Sequence, residues 1–198
     1  MPNIHDIRFH IKSVRQTRQI TNAMHTVSAA RMRSALEGIR KNRAYFYRAL
    51  DIINDILAGA GEITHPYLTH REGKKTAYIV VAGEKGLSGA YNHDVLAFAE
   101  RCMAGQEVAE VFAIGSVASL HVARRGMAVD TRFVHLAERP RIEPVRRLVD
   151  ILVERYDQGE IDELRIVHAR FINTISYEPV EQKLLPLALD DFRIAGRD

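Results

Sequence analysis

The sequence predicts an α/β protein in two parts, a long N-terminal coiled-coil helix and a Rossmann-like layered domain with a mainly parallel sheet. Three observations carry this. Residues 4–57 hold no proline and one glycine, Gly38, with apolar residues at helical spacing. From Thr76 onward the pattern changes to short apolar runs punctuated by glycine turns. Those runs alternate with amphipathic stretches, the order that builds parallel strands through right-handed crossovers. The expected divisions are a helix over 1–60, a linker over 61–75 and a layered domain over 76–198.

The helix has start and stop signals. Asn3 suits the N-cap, Asp6 places an anion in the first turn, and Gly59-Ala60-Gly61 supplies the end. Read in sevens, one line runs Ile4, Ile11, Arg18, His25, Met32, Ile39, Phe46, Ile53. The other runs Ile7, Val14, Thr21, Ser28, Ala35, Asn42, Ala49, Ile56. This is a coiled-coil seam that turns polar in its middle. At 1.5 Å per residue such a helix spans roughly 80 Å. A globule of the remaining chain is nearer 40 Å across. About half the helix is therefore expected to project, and its seam needs a partner.

In the layered domain, Thr76–Ala82 is a nearly continuous apolar run, as expected of a strand buried on both faces. The loop Gly83-Glu84-Lys85-Gly86-Leu87-Ser88-Gly89 follows. Asn92 can then cap a helix through Met103 with Val95, Leu96, Phe98 and Ala99 inward. Glu110–Ile114 reads as a second strand, Gly115-Ser116 as a turn, and Val117–Arg125 as a short helix closed by Gly126. Residues 131–136 read as a third strand. Pro144 fits the first turn of a helix to about Tyr156, with Val145, Leu148, Val149 and Leu152 inward. Glu163–Ile172 reads as a fourth strand, with Leu164, Ile166, Val167 and Phe171 as its apolar members. Pro179–Leu189 reads as an edge strand, because Pro186 is disfavoured in a central one.

Composition narrows the function classes. The single cysteine, Cys102, excludes an intrachain disulfide and a multi-cysteine metal site. The charged N-terminus has no secretory core, and no apolar run approaches the roughly eighteen residues of a membrane span. The net charge of +3 conceals an asymmetry. Residues 1–48 carry ten Lys and Arg against Asp6 and Glu37, a balance of +8, which leaves −5 for the rest. A cationic rod on a mildly acidic body implies an acidic partner, or else a solvated charged face. Nucleic acid, an anionic membrane surface and contact with other protein chains all remain open on the residues alone. Against nucleic acid stand the lack of a known binding module and of aromatic interleaving near Arg31–Arg43 before Tyr45.

No active site is legible. The loop's Gly-x-x-Gly-x-x-Gly spacing is neither a dinucleotide fingerprint nor a P-loop, so a structural turn is expected and no cofactor. Ser88 lacks the residue that a nucleophile elbow places before its second glycine. The histidines make no metal set, since His5 and His10 miss the i, i+4 spacing.

Ile11-Lys12-Ser13-Val14, Thr17 and the stretch Ile20 to Arg33 resemble the N-terminal helix of the gamma subunit of F-type ATP synthases. The resemblance continues at Gly86-Leu87-Ser88-Gly89-Ala90-Tyr91-Asn92 and at Phe171-Ile172-Asn173-Thr174. It implies a non-catalytic central-stalk rotor subunit whose first helix is half of an antiparallel coiled-coil shaft. Its implied partners are the catalytic and non-catalytic subunits of the ATP synthase head, the epsilon subunit and the membrane rotor ring. Arg18, Thr21, Met24 and His25 fall where the family's helix faces acidic loops of the catalytic subunits. Gly86, Leu87, Ser88 and Gly89 belong to a loop of the family's foot domain that binds no nucleotide. Family members run on for about another third of the chain, to a second long helix. The seam is accordingly expected to lack that partner here, and the isolated chain to self-associate. The implied location is peripheral, on the cytoplasmic face of a bacterial inner membrane, because no transit peptide is seen.

Overall fold

The computed structural model describes residues 3–59, 64–71, 73, 75–138 and 140–187. Its elements are α1 (Ile4–Gly59), β1 (Lys75–Val81), α2 (Tyr91–Met103), β2 (Glu107–Ile114), α3 (Ser116–Arg124), β3 (Val129–Asp130), a 3-10 helix (Val134–Ala137), α4 (Ile142–Asp157), β4 (Glu163–Phe171) and β5 (Tyr177–Leu185). The chain forms two compact units, one built on α1 and the other on residues 62–191. Ala60 and Gly61 of the expected stop, parts of the expected linker, and residues 188–198 lie outside the described residues.

At 56 residues, α1 is about 84 Å long at 1.5 Å per residue. Asn3 caps it as expected: its Oδ1 accepts from the His5 N–H (3.4 Å), while Asp6 Oδ2 accepts from the Asn3 N–H (3.3 Å). Both seam lines are exposed from Ile4 to Val14, and Met32, Ile39, Phe46, Ile53 and Ile56 are exposed beyond.

The second unit is a five-stranded sheet in the order β3-β2-β1-β4-β5. β1 lies parallel to β2 and β4, β2 parallel to β3, and β5 closes the edge antiparallel to β4. Successive residues of β1 feed opposite faces. Tyr78 and Val80 join Val95, Leu96 and Ala99 of α2 and Ala118 and Val122 of α3. Ala77 and Ile79 join Leu148, Leu152 and Tyr156 of α4 with Phe133. Because β1 is covered on both faces it reads as an unbroken apolar run.

Four expectations need correction. Residues 131–136 are not a strand. Asp130 Oδ1 accepts from the Arg132 N–H (2.9 Å), and this turn ends β3 and feeds Phe133 and Val134 into the core from a 3-10 helix. Asn92 does not cap α2, which starts one residue earlier with Ala90 at the N-cap. On α4, Leu148, Leu152 and Tyr156 are buried, whereas Val145 and Val149 are exposed. Phe171, an apolar member of β4, is exposed because β4 outruns its parallel neighbour. Its last pairing with β1 is Val80 with Val167, and residues 168–171 pair only with β5. β5 itself begins at Tyr177, two residues ahead of Pro179.

Candidate functional site

In an open α/β sheet, ligands bind beyond the carboxyl ends of the strands, where helix N-termini and backbone N–H groups converge. Here that region holds the glycine loop between β1 and α2, and the chain fills it with its own side chains. Asn92 turns back from the first turn of α2. Its Oδ1 accepts from the Gly83 N–H (2.8 Å), and its Nδ2 donates to the Lys85 carbonyl (3.2 Å) and to Ser88 Oγ (3.1 Å). A methyl on Gly83 would lie 2.8 Å from Asn92 Oδ1, so glycine makes room for the latch. Glu84 closes the neighbouring helix start. Its Oε2 accepts from the Ser116 hydroxyl (2.7 Å) and N–H (3.3 Å) at the head of α3, and lies 3.3 Å from His135 Nδ1. A carboxylate belonging to the chain thus sits where the α3 dipole would draw an external anion.

The expected loop residues come together at the surface. Leu87 has a left-handed backbone (φ 64°) and is 94% exposed, and Gly89 shares the left-handed region (φ 61°). Gly86 has open space around it and is not sterically required. Ser88 hydrogen-bonds Asn92, and no imidazole among the described residues bonds it. No group of three or more His, Cys, Asp or Glu among the described residues could hold a metal.

The other expected residues lie on α1, and the helix separates them. On a 3.6-residue turn, measured from Arg18, His25 is about 20° away, Thr21 about 60° and Met24 about 120°. Arg18, Thr21 and His25 continue the seam. Met24 leaves it and lies beside Ile20, about 160° from Arg18, and Val27, about 180° away. All of these side chains are exposed. The hydroxyls of Thr17, Thr21 and Thr26 donate to the carbonyls of Ser13, Thr17 and Asn22 at 2.9–3.1 Å. Their donors are therefore spent within the helix.

Ionisation in the second unit is set by packing. Burial and nearby Glu181 push the Tyr78 phenol up to about 12, and its hydroxyl donates to the Cys102 carbonyl (3.1 Å). Burial opposes the charge on Asp130, but Arg132, which grips the carboxylate through its side chain and backbone N–H, holds it below the usual range. Burial raises Glu110 despite its ion pair with Arg155.

Comparison with known proteins places this geometry. The family model described as "ATP synthase" matches residues 3–196. The chain belongs to the ATP synthase gamma-chain family. It is 35% identical to the ATP synthase gamma chain of Acetivibrio thermocellus over 98% of this chain and 66% of the relative. It is 39% identical to that of Alkaliphilus metalliredigens over 92% and 63%. It is 34% identical to the sodium-ion-specific gamma chain of Acetobacterium woodii over 98% and 65%. The chain thus spans about two thirds of the length of these gamma chains. Among solved structures, the central stalk and c-ring of the Tetrahymena thermophila mitochondrial ATP synthase contains a chain with the same fold. That likeness has a TM-score of 0.54 at 19% identity and covers 84% of this chain and 72% of the other. The rotor of the Euglena gracilis enzyme gives 0.51 at 11% identity, covering 94% and 63%. No described helix is long and apolar enough to cross a membrane.

Proposed function

We propose that this gamma-family chain acts as a non-catalytic central-stalk rotor subunit that couples ion-driven rotation to conformational change at the nucleotide sites of an ATP synthase. The observation that carries it is α1: 56 helical residues with an exposed apolar seam, bearing eight net positive charges over residues 1–48. Such an element has no use alone in water and suits insertion among other chains. The second unit supports the non-catalytic reading, since Asn92 and Glu84 occupy the loop and helix start that a substrate anion would need.

In this account the polar middle of the seam matters physically. A shaft that visits several conformers of a surrounding ring shifts their equilibrium only by binding them differently, and must not lock onto one. The level of α1 marked by Arg18, Thr21, Met24 and His25 is assigned to contact with acidic loops of the catalytic subunits. The second unit, with Gly86–Gly89 at one edge, is assigned to the foot, against the epsilon subunit and the membrane rotor ring. The protein would be peripheral, at the cytoplasmic face of a bacterial inner membrane. The isolated chain would self-associate through α1. The nucleic-acid reading of the same helix has no support from the relatives.

Co-purification tests the assignment. The chain is co-expressed with the catalytic and non-catalytic subunits of a related bacterial ATP synthase. Co-elution with their hexamer is expected; a folded chain that elutes alone from intact hexamer would refute it.

A further inference from the structure

The second unit joins the rest of the chain through two strands, one ahead of β1 and one after β5, and side chains of the unit tie them together. Residues 64–71 are not a free tether. The His65 carbonyl accepts from the Leu68 N–H (2.9 Å) and the Thr69 hydroxyl (3.1 Å), which folds the segment into a turn. Tyr67 then reaches two other parts of the unit. Its ring packs edge-on against Tyr156 of α4, 5.9 Å between centroids, and its hydroxyl donates to Asp157 Oδ2 (3.1 Å). Its carbonyl accepts from the N–H of Leu187 (2.6 Å), just beyond the end of β5.

Arg71 adds a second tie. Its Nη1 donates to the carbonyls of Tyr156 and Ile161 (3.2 Å to the latter), and its guanidinium lies 3.7 Å from the centroid of the Tyr156 ring. A cation there also meets the negative end of α4, which stops at Asp157. Tyr156 is fully buried in one core with Ile79, Leu148 and Leu152, so both ties end on the core of the unit. Past Arg71 the path is narrow. A methyl on Gly73 would overlap the Asp162 carboxylate, whose Oδ2 accepts from the Lys75 N–H (3.1 Å) at the head of β1.

An unbraced strand has two soft backbone torsions per residue, so it swivels and passes on little turning force. Two strands braced to each other and to a packed core cannot swivel independently. We infer that Tyr67 and Arg71 clamp the entering and leaving strands of the second unit into one load-bearing joint, which delivers force arriving along either strand to α4 and the sheet. This rests on the rotor reading, which supplies the turning force. Tyr67 and Arg71 are positioning residues: they hold the strands and take no part in nucleotide chemistry.

The test pulls single molecules of the full chain, with Cys102→Ser, by handles at Ile56→Cys and Asp198→Cys. Arg71→Gln and Tyr67→Ala are expected to add an early lengthening that the parent chain lacks, at less than half the force that unfolds the unit. Its size is at most about 40 Å, the reach of residues 64–74 at 3.3–3.6 Å per residue. Hydrogen exchange supplies a readout without force. Both variants are expected to speed exchange at the Leu187 amide at least tenfold and at Ile79 and Val80 of β1 less than threefold. Tyr67→Phe keeps the ring and the carbonyl and should stay within threefold of the parent at all three amides. No added lengthening in either variant overturns the clamp, and so does equal acceleration at Leu187 and β1, which marks a loss of general stability. No head subunit is present, so a failed clamp leaves the rotor reading standing, and failed co-elution with the hexamer overturns that reading without touching the measured joint.

Discussion

Replacing Asn92 with alanine should unlatch the glycine loop. The side chain accepts from the Gly83 N–H at 2.8 Å and donates to Lys85 O at 3.2 Å and Ser88 Oγ at 3.1 Å. A net hydrogen bond contributes about 1 kcal/mol, and the two longer contacts reach partners that water can replace. The expected loss is therefore about 2 kcal/mol. Asn92→Asp retains the acceptor and loses both donors, with a carboxylate favoured near the start of α2, so its loss should be about 1 kcal/mol. The assay is urea denaturation followed by tyrosine fluorescence, there being no tryptophan, joined to hydrogen exchange at the Gly83 amide. Where exchange follows opening of the loop, 2 kcal/mol corresponds to roughly thirtyfold faster exchange. A loss below about 0.5 kcal/mol with unchanged Gly83 exchange would refute the latch.

Further outcomes follow from single residues. Gly115 has φ 99°, and a methyl there would collide with the Ala82 carbonyl oxygen, so Gly115→Ala should cost about 3 kcal/mol from strain and overpacking together. Gly126 has φ 70° and open space, so the same change there should cost only about 1 kcal/mol; equal losses in urea titrations would contradict the steric argument. Leu87→Gly relieves a left-handed leucine while loosening the unfolded chain, so stability should change by less than about 1 kcal/mol. A large loss would mean that Leu87 is held by more than its backbone. Asp130 has a depressed folded pKa, so its contribution is present above the unfolded value near 4 and is lost as pH falls through the lower folded one. Arg132→Met leaves burial acting on Asp130 without its main opponent, so acid unfolding should begin at higher pH; an unmoved acid limb would show that Arg132 does not hold the carboxylate.

Much of the fold was legible because its elements obey simple periods. α1 showed in fifty residues of helical spacing without proline, and β1 in a run that is apolar on both faces because both are covered. The misreadings fall where a side chain bonds its backbone or reaches across the chain. Asn92 stands where an N-cap belongs, yet it latches Gly83, nine residues earlier. Residues 131–136 have a strand's composition, but the Asp130–Arg132 turn breaks the extended chain before it can pair. Val145 and Val149 are at core spacing, yet of the apolar residues of α4 only Leu148, Leu152 and Tyr156 are buried. On α1 the grouping of Arg18, Thr21, Met24 and His25 came from the family resemblance, and the helix sets Met24 about 120° from Arg18 and about 60° from Thr21. Glu84 gave no sequence signal, because its partners Ser116 and His135 lie more than thirty residues away.

The central claim is that this chain is a rotor subunit, and its most direct measurement is rotation. With the catalytic hexamer fixed to a surface, a bead on the second unit through biotinylated Cys102→Ser, Glu178→Cys reports motion, since Glu178 is an exposed residue of the edge strand. The account predicts unidirectional turning during ATP hydrolysis, or at minimum stable one-to-one capture in the hexamer when torque is too weak to turn the bead. A chain that folds, with its α/β unit intact, and neither enters the hexamer nor turns in it would contradict the account.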